Sequence, residues 1–351
     1  MLKKGLLFVL MCIVSAMLLA AVAAEVVEVD KYGNVHTNVP EQQMLEAGYE
    51  VGDMLQVSAG GNVWQAPFVT TYGDVDRGNP LVRISGGNVL LAINYGNCSK
   101  TYGLDVGTQI EISLVEKGVY LEELEIRHLV RTDVREDYET DAIFANFRGV
   151  VMGNIAPGKL YRTSHPSIDD PRSPFAADLM EQAGIKTVIN LSDSSEELQA
   201  CYAYNDYYSK LGEEGQIINL NMGVDLLSDE FAQKLYAGLL FMTIHQPPYL
   251  VHCVEGKDRA GMVVAILGAI MDANTDEIFH DYVVSYENYY HVKPDTLAYT
   301  AVEKIIADIF REMNGGQPVD DSNVKQVAMK YLTEKVGLTP EQISDLQQKL
   351  Q

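Results

Sequence analysis

Cysteine, tryptophan and positive charge are scarce in this chain, and each shortage excludes a class of protein. The 351 residues include four cysteines and one tryptophan, so a disulfide-rich scaffold is excluded. No Cys or His spacing matches a metal-binding motif, and we expect neither a metal nor a cofactor. The 26 Lys and Arg face 49 Asp and Glu, a net charge of −23. Such a surface repels nucleic acid and anionic membranes, so neither is an expected partner.

Long apolar runs are also scarce, and the one at residues 6–20 lies next to the N-terminus. Lys3 and Lys4 precede it and small residues at 21–24 follow it, which predicts a secretory signal peptide over residues 1–24. Its removal changes the net charge to −25. We therefore expect a secreted or extracytoplasmic protein with no stable membrane insertion. The alternative is an uncleaved anchor, although the run is near the lower length limit for spanning a bilayer.

What the chain does contain is a group of reactive residues between a short apolar segment and an apolar helix. Residues 248–251 suit a buried strand and residues 262–267 begin a helix, so residues 252–261 connect the two. Backbone N–H groups at such a helix N-terminus hold a phosphate dianion, and Arg259 can bind two of its oxygens. The same field favours a thiolate at Cys253, which makes this residue a nucleophile at neutral pH.

This loop resembles a known family. Five residues separate Cys253 from Arg259, as in the signature loop of the cysteine-dependent protein tyrosine phosphatases. The loop most resembles that of the bacterial tyrosine and lipid phosphatase branch, and residues 146–148 and 160–164 are similar to that branch's entry segment. The resemblance implies a phosphate-ester substrate and a phosphocysteine intermediate that water hydrolyses. His252 and Gly261 support the loop, and the predicted phosphate-binding residues are Val254, Glu255, Gly256, Lys257, Asp258, Arg259 and Ala260.

The resemblance also implies a general acid on a loop upstream of the nucleophile. Asp225, which lies 28 residues before Cys253, is the first candidate. The nearby Asp229 and Glu230 suit the first turn of a helix instead. Asp258 is the second candidate because the resembling branch has an aspartate there. The alternative for Asp258 is a salt bridge or backbone cap that holds the loop.

Other charged and aromatic residues bear on substrate and loop shape. Lys257 favours polyanions such as phosphoinositides or inositol phosphates as well as phosphotyrosine, unless it is a solvated loop residue. We expect His252 to fix the loop by hydrogen bonding. Arg162 and His165 could line the site, but we expect them to brace the loop instead. A tyrosine cluster is predicted to pack a helix with its phenol ends at the surface, rather than to form a substrate site: Tyr282, Tyr286, Tyr289 and Tyr290.

The region around the loop predicts an α/β domain over residues 131–351. Residues 187–191 and 217–220 read as buried strands and residues 175–183 as a helix, which favours a parallel sheet flanked by helices, as in the tyrosine phosphatases. Ligands of such sheets bind at the carboxyl ends of the strands, where Cys253 falls. Helical periodicity continues over residues 275–290, 294–313 and 322–336, and Thr339 and Pro340 open a last helix.

Residues 25–130 differ in texture and predict a small β-barrel domain. Short β-branched runs are broken by turns, and residues 82–93 read as a hairpin around Gly86 and Gly87. Residues 30–38, 73–78 and 92–97 resemble the C-terminal barrel of the S-adenosylmethionine hydroxide adenosyltransferases. In that family the barrel helps bind adenine, which implies a nucleoside-like ligand here. Its candidate contacts are Tyr32, Asn34, Asn94 and Asn97, and the alternative is that the Gly-Asn pairs only form turns.

Two functions follow, with one question about cysteine pairing. The first is a secreted cysteine-dependent phosphatase, and the second is a catalytically weak phosphate- or nucleoside-binding protein that uses the loop and the barrel. After signal cleavage three cysteines remain, and Cys253 must stay reduced as the nucleophile. Cys98 and Cys201 either form a bridge or stay unpaired as small apolar residues.

Overall fold

The computed structural model describes residues 21–351, which divide into two compact units after Arg127. Residues 1–20, most of the predicted signal peptide, lie outside the described residues. Val22–Ala24 already form the start of the first strand. Within the described part of the chain, no helix is both long and apolar enough to cross a bilayer.

The first unit is an antiparallel sheet of seven strands that nearly closes into a barrel. The strands are β1 (Val22–Val29), β2 (Val35–Pro40), β3 (Met54–Ala59), β4 (Asn62–Pro67), β5 (Pro80–Ser85), β6 (Asn88–Ile93) and β7 (Gln109–Glu116). Their order is β4-β3-β7-β1-β2-β6-β5, and a bridge between Phe68 and Val82 links the two ends. Its helices are α1 (Glu41–Glu46), α2 (Cys98–Tyr102) and α3 (Leu121–Arg127). The predicted small barrel is confirmed.

Alternating burial and turn chemistry explain the strands of the barrel. Along β3, Leu55 and Val57 are buried while their neighbours are half-buried, which is the pattern of a strand with one face on a core. Gly86 and Gly87 have φ of +61° and +84°, the geometry of a two-residue hairpin turn. The predicted hairpin between β5 and β6 is confirmed.

The second unit is an α/β domain built on a five-stranded sheet. The strands are β8 (Arg148–Gly149), β9 (Leu160–Thr163), β10 (Thr187–Asn190), β11 (Ile217–Asn219) and β12 (Tyr249–His252). Their order is β11-β10-β12-β9-β8, with β8 antiparallel to β9 and the other pairs parallel. This confirms the predicted parallel sheet.

Helices accompany this sheet and complete the unit. They are α4 (Asp141–Phe144), α5 (Ser173–Gln182), α6 (Ser195–Cys201), α7 (Asp206–Glu213), α8 (Asp229–Ile244), α9 (Asp258–Ile270), α10 (Thr275–Tyr290), α11 (Leu297–Met313), α12 (Val324–Lys330) and α13 (Pro340–Leu350), with a π-helical turn at Tyr331–Val336. Ser228 caps α8 through its side chain, so Asp229 and Glu230 form the first turn as predicted.

Strand register places the site at one edge of the sheet. β12 is buried along its length and lies between β9 and β10. Because the three strands are parallel, their last residues Thr163, Asn190 and His252 stand side by side. Helix α9 leaves from this edge, and every residue from Ala260 to Ile270 is buried. The loop between β12 and α9 therefore has a rigid strand on one side and a buried helix on the other.

Candidate active site

The loop that joins β12 to α9 has a backbone path that requires glycine. Cys253 directly follows β12 and is buried, and Arg259 lies in the first turn of α9. Gly256 has φ of +66°, and a Cβ added there would lie 2.0 Å from the carbonyl oxygen of Thr163. At Gly261 a Cβ would lie 2.7 Å from the ring of Tyr282, so α9 packs closely against α10.

Buried polar side chains hold the loop from behind. Arg162 donates from Nη2 to the carbonyl oxygens of Gly256 at 2.7 Å and Lys257 at 2.9 Å. Asn146 donates to the carbonyl of Glu255 at 3.0 Å. Because the carbonyl and the next N–H of a peptide point in opposite directions, these bonds turn the N–H groups toward the loop interior. The predicted bracing role of Arg162 is confirmed.

Asp281 on α10 pairs with Arg162 and with a second arginine, Arg148. Its carboxylate accepts from Arg162 and, at 3.0 Å, from Arg148. Burial alone would raise the pKa of Asp281, but the two guanidinium groups outweigh it and lower the pKa. Burial lowers the pKa of Arg148 to about 10 despite Asp281. The loop is thus fixed by an internal charge cluster whose members cannot be removed singly without cost.

A second buried network reaches the loop through His252, and its hydrogen positions follow from the partners. Asn190 donates from Nδ2 to the hydroxyl oxygen of Tyr208 at 2.9 Å. Tyr208 therefore directs its proton to Nε2 of His252, 3.0 Å away. The remaining N–H of His252, at Nδ1, faces the carbonyl of Cys253 at 3.3 Å. These contacts agree with a loop-fixing role for His252, which stays a prediction.

The far end of this network is a carboxylate surrounded by donors. Asp193 accepts from Asn190 at 2.6 Å, from His165 at 2.8 Å and from the thiol of Cys201 at 3.2 Å. Burial would raise the pKa of Asp193, yet the hydrogen bond and the proximity of His165, followed by the proximity of His252 and the hydrogen bond from Asn190, outweigh it and hold the pKa well below its usual range. Sequence reasoning missed this cluster because its members belong to separate loops and helices.

The ligand atoms of His165, Asp193 and Cys201 lie within 4.8 Å of one another, a grouping that suits a metal by distance alone. The hydrogen bonds oppose that role. The backbone N–H of Ser167 donates to Nδ1 of His165 at 3.1 Å, which leaves the proton of the neutral ring on Nε2, facing Asp193. A metal ligand must offer a lone pair at that nitrogen. The cluster is therefore a hydrogen-bonded brace, and burial raises the pKa of the Cys201 thiol to about 12.

Cys98, Cys201 and Cys253 are free thiols, which favours the unpaired alternative for the first two. Cys98 belongs to the barrel core, and its burial raises the pKa of its thiol to about 12. Both structural cysteines are therefore poor nucleophiles at neutral pH.

The prediction that the tyrosine cluster points its phenol ends at the surface was wrong. Tyr282 and Tyr286 are buried, and both hydroxyl groups donate to Asp258 at 3.1 Å. Helical periodicity predicted the packing of α10 but could not show that a carboxylate at the start of α9 would meet these phenols. Lys257 lies over the rings of Tyr286 and Tyr290, with its Nζ 4.5 and 5.3 Å from their centroids.

Two carboxylates neutralise Lys257 in addition. Its Nζ lies 3.4 Å from Glu255 and 3.6 Å from Asp258, and its side chain is 12% exposed. Burial would lower the pKa of Lys257, but Asp258 and the phenols outweigh it and raise the pKa. The interpretation of Lys257 as a solvated loop residue is wrong, because the ammonium group is enclosed by aromatic rings and carboxylates.

The two general-acid candidates differ in their surroundings. Asp225 is exposed on the segment between β11 and α8. Three residues earlier on that segment, the carbonyl of Met222 accepts from Arg259 at 2.9 Å, so the segment touches the arginine that is predicted to bind phosphate. Asp258 instead accepts from two phenols of α10 and ties the loop to that helix. The structure supports the holding role for Asp258.

A central parallel strand, a glycine turn and a cysteine before a helix N-terminus form a loop that suits phosphate binding and attack by a thiolate. Comparison with family models agrees. A model described as the tyrosine phosphatase family matches residues 144–351, more than half of the chain, and the chain belongs to that family. A model described as the SAM hydroxide adenosyltransferase C-terminal domain matches residues 24–111, which confirms the resemblance of the barrel.

Solved structures show partial similarity. An uncharacterized conserved protein from Thermotoga maritima is 35% identical, with 26% of this chain and 36% of that chain covered and a TM-score of 0.26. A conserved hypothetical protein from Thermus thermophilus is 26% identical. The match covers 26% of this chain and 34% of that chain, with a TM-score of 0.21. The chain spans about a third of the length of these two. The core catalytic domain of the PP-IP phosphatase SIW14 from S. cerevisiae is 18% identical to this chain. The match covers 50% of this chain and 96% of that domain, with a TM-score of 0.29.

Proposed function

We propose that this protein is a secreted phosphatase in which Cys253 attacks the phosphorus of a phosphate monoester. The observation that carries the proposal is the position of Cys253 at the start of a loop whose carbonyls are held outward by Arg162 and Asn146. The N–H groups of that loop and the guanidinium of Arg259 then bind the three non-bridging oxygens and stabilise the charge of the transition state.

The reaction proceeds in two displacement steps. The Cys253 thiolate forms a bond to phosphorus while the bond to the ester oxygen breaks, and an acid protonates the leaving oxygen. Water then attacks the phosphocysteine, gives up a proton to the same carboxylate, and releases phosphate and the thiolate. We assign the acid to Asp225, because its segment contacts Arg259 while the carboxylate of Asp258 is held by two phenols.

Leaving-group dependence separates the two candidate acids. In Asp225→Asn, turnover of phenyl phosphate should fall about 100-fold, since its leaving group needs a proton. Turnover of p-nitrophenyl phosphate should fall less, because nitrophenolate leaves without one. Asp258→Asn is the matched control and should slow both esters to the same degree by loosening the loop. The reverse pattern would transfer the acid role to Asp258.

Substrate identity needs a direct comparison. Mature protein would be given a phosphotyrosine peptide, a phosphoinositide and inositol hexakisphosphate, without added metal. Turnover of any of them by the wild type, and none by Cys253→Ser, supports the phosphatase. Tight phosphate binding without turnover supports the weakly catalytic binding protein.

The extracytoplasmic location is part of the proposal and rests on the sequence of residues 1–24. When the full chain is expressed in a bacterial host, we expect exported protein whose N-terminal sequence begins at Glu25. Protein retained in the membrane fraction with its N-terminus intact would indicate the uncleaved anchor.

We further propose that the barrel holds a nucleoside-like ligand in an open cavity of about 760 Å³. Tyr32 and Tyr95, which are 66% and 82% exposed, line it together with the amides of Asn34, Asn94 and Asn97. Flat rings and amides suit the stacking and hydrogen bonding of a base. Calorimetric titration with adenosine tests this, with Tyr95→Ala as the variant that should bind less. No heat from the wild type favours the alternative that these residues only form turns.

A further inference from the structure

Glu255 places a carboxylate in the phosphate-binding loop itself, between two cations. Arg131 donates from Nη1 to its Oε1, and Nζ of Lys257 lies 3.4 Å from its Oε2. The Glu255 side chain is 29% exposed, so it stands at the rim of the loop rather than inside the fold. Neither of these contacts is needed to hold the backbone of the loop, which Arg162 and Asn146 fix through carbonyl oxygens.

This pairing removes the excess of positive charge that a polyanion would need. From residue 255 to residue 259 the loop carries two carboxylates and two cations, a formal charge of zero. Lys257 is committed to Glu255, to Asp258 and to the aromatic rings, and Arg131 is committed to Glu255 and, at 3.6 Å, to Asp133. Among the described loop residues, Arg259 is the cation that no carboxylate pairs in this structure.

We propose that Glu255 is a specificity-determining residue that restricts the enzyme to substrates with a single phosphate. It discriminates against substrates that carry several neighbouring phosphates. The inference rests on the proposed phosphatase function. A second phosphate at the loop rim meets the Glu255 carboxylate, and like charges at short range repel. The second phosphate can pair with Arg131 or Lys257 only if it displaces the Glu255 carboxylate from that cation. Phosphotyrosine, which has one phosphate, escapes this cost, and inositol polyphosphates do not.

The test compares two substrates in the mature full-length protein. The readout is the ratio of kcat/KM for inositol hexakisphosphate to kcat/KM for phenyl phosphate. In the wild type this ratio should be below one. In Glu255→Gln it should rise about tenfold, because the change leaves two cations to receive the second phosphate. Asp133→Asn is the matched control, since it also removes a carboxylate from Arg131 but lies outside the loop, and it should leave the ratio unchanged.

Further variants and conditions test whether the released cations cause the rise in the ratio. In Glu255→Gln combined with Arg131→Ala, most of the gain should disappear, because one of the released cations is gone. The gain should also shrink in about 0.5 M salt, which screens partly exposed charges. Binding of inositol hexakisphosphate to each variant, measured by calorimetry in the Cys253→Ser background, should follow the same order as turnover.

Two results would overturn the proposal. One is a wild type that hydrolyses inositol hexakisphosphate at least as efficiently as phenyl phosphate. The other is an unchanged ratio in Glu255→Gln. A wild type that hydrolyses neither ester refutes the phosphatase function instead, and the binding series then decides on Glu255 by itself: equal affinity of Glu255→Gln and its parent for the polyphosphate contradicts the role assigned here.

Discussion

His252 should make the phosphatase unit lose stability as the pH falls below neutrality. Its ring is fully buried, Nε2 accepts from Tyr208, and Nδ1 donates to Cys253, so neither nitrogen has room for a further proton. Burial, followed by the proximity of His165 and of Arg259, lowers its pKa to about 3, although Asp193 opposes this. In the unfolded chain the same residue takes up a proton near pH 6.5.

The sign and size of the effect follow from this difference in pKa. Between pH 6.5 and 3 the unfolded state binds the proton and the folded state does not, so the stability contributed by neutral His252 is lost as the pH falls. From pH 7 to pH 5 the loss is about 2 kcal/mol. Asp193, whose pKa is lowered, contributes only at more acidic pH, since its stabilisation is lost below the usual range of an aspartate.

Urea unfolding of the full chain at pH 7 and pH 5 measures this loss. Circular dichroism at 222 nm follows mainly the helices of the second unit, while fluorescence of Trp64, which lies in β4, follows the barrel and serves as an internal control. His252→Asn should be less stable at both pH values, yet its loss between them should be smaller by about 2 kcal/mol. Equal losses in the variant and the wild type would refute the assignment of a neutral, buried His252.

Three further changes test the loop and its braces. Gly256→Ala places a Cβ 2.0 Å from the carbonyl oxygen of Thr163, so kcat/KM should fall at least about 100-fold while circular dichroism still reports a folded domain. Tyr208→Phe removes one hydroxyl and should lower the free energy of unfolding by about 1 to 3 kcal/mol, measured in urea. Asp281→Asn removes the negative charge that pairs with the buried Arg162, and should lower the free energy of unfolding by about 3 kcal/mol, measured by the same urea titration. If the measured kcat/KM or free energy of unfolding is unchanged in one of these variants, the role assigned to that residue in holding the loop is contradicted.

Much of the fold could be predicted because local signals agreed with one another. The apolar strand before Cys253, the helix after it and the strand at residues 187–190 are all specified by short-range patterns, and their parallel order follows from the helices between them. The glycine at residue 256 was visible, but the reason for it, the carbonyl of Thr163, depends on the pairing of β9 with β12.

The parts that sequence reasoning missed depend on contacts between distant residues. Asn190 and Tyr208 meet His252 only because β10 and β12 are in register and α7 packs beneath them. The signal available was modest: a polar residue at the carboxyl end of a predicted strand. Arg131 lies at the start of the predicted α/β domain, and nothing local indicated that it would reach Glu255, which lies 124 residues later.

The central claim, covalent catalysis by Cys253, is tested most directly by trapping the intermediate. Mature wild-type protein would be mixed with excess aryl phosphate, quenched in acid within milliseconds, digested and analysed by mass spectrometry. The account predicts one phosphoryl group on the peptide that contains Cys253, formed in the wild type, accumulating in Asp225→Asn and absent in Cys253→Ser. Steady hydrolysis with no phosphoryl group on that peptide, or equal hydrolysis by Cys253→Ser, would contradict it.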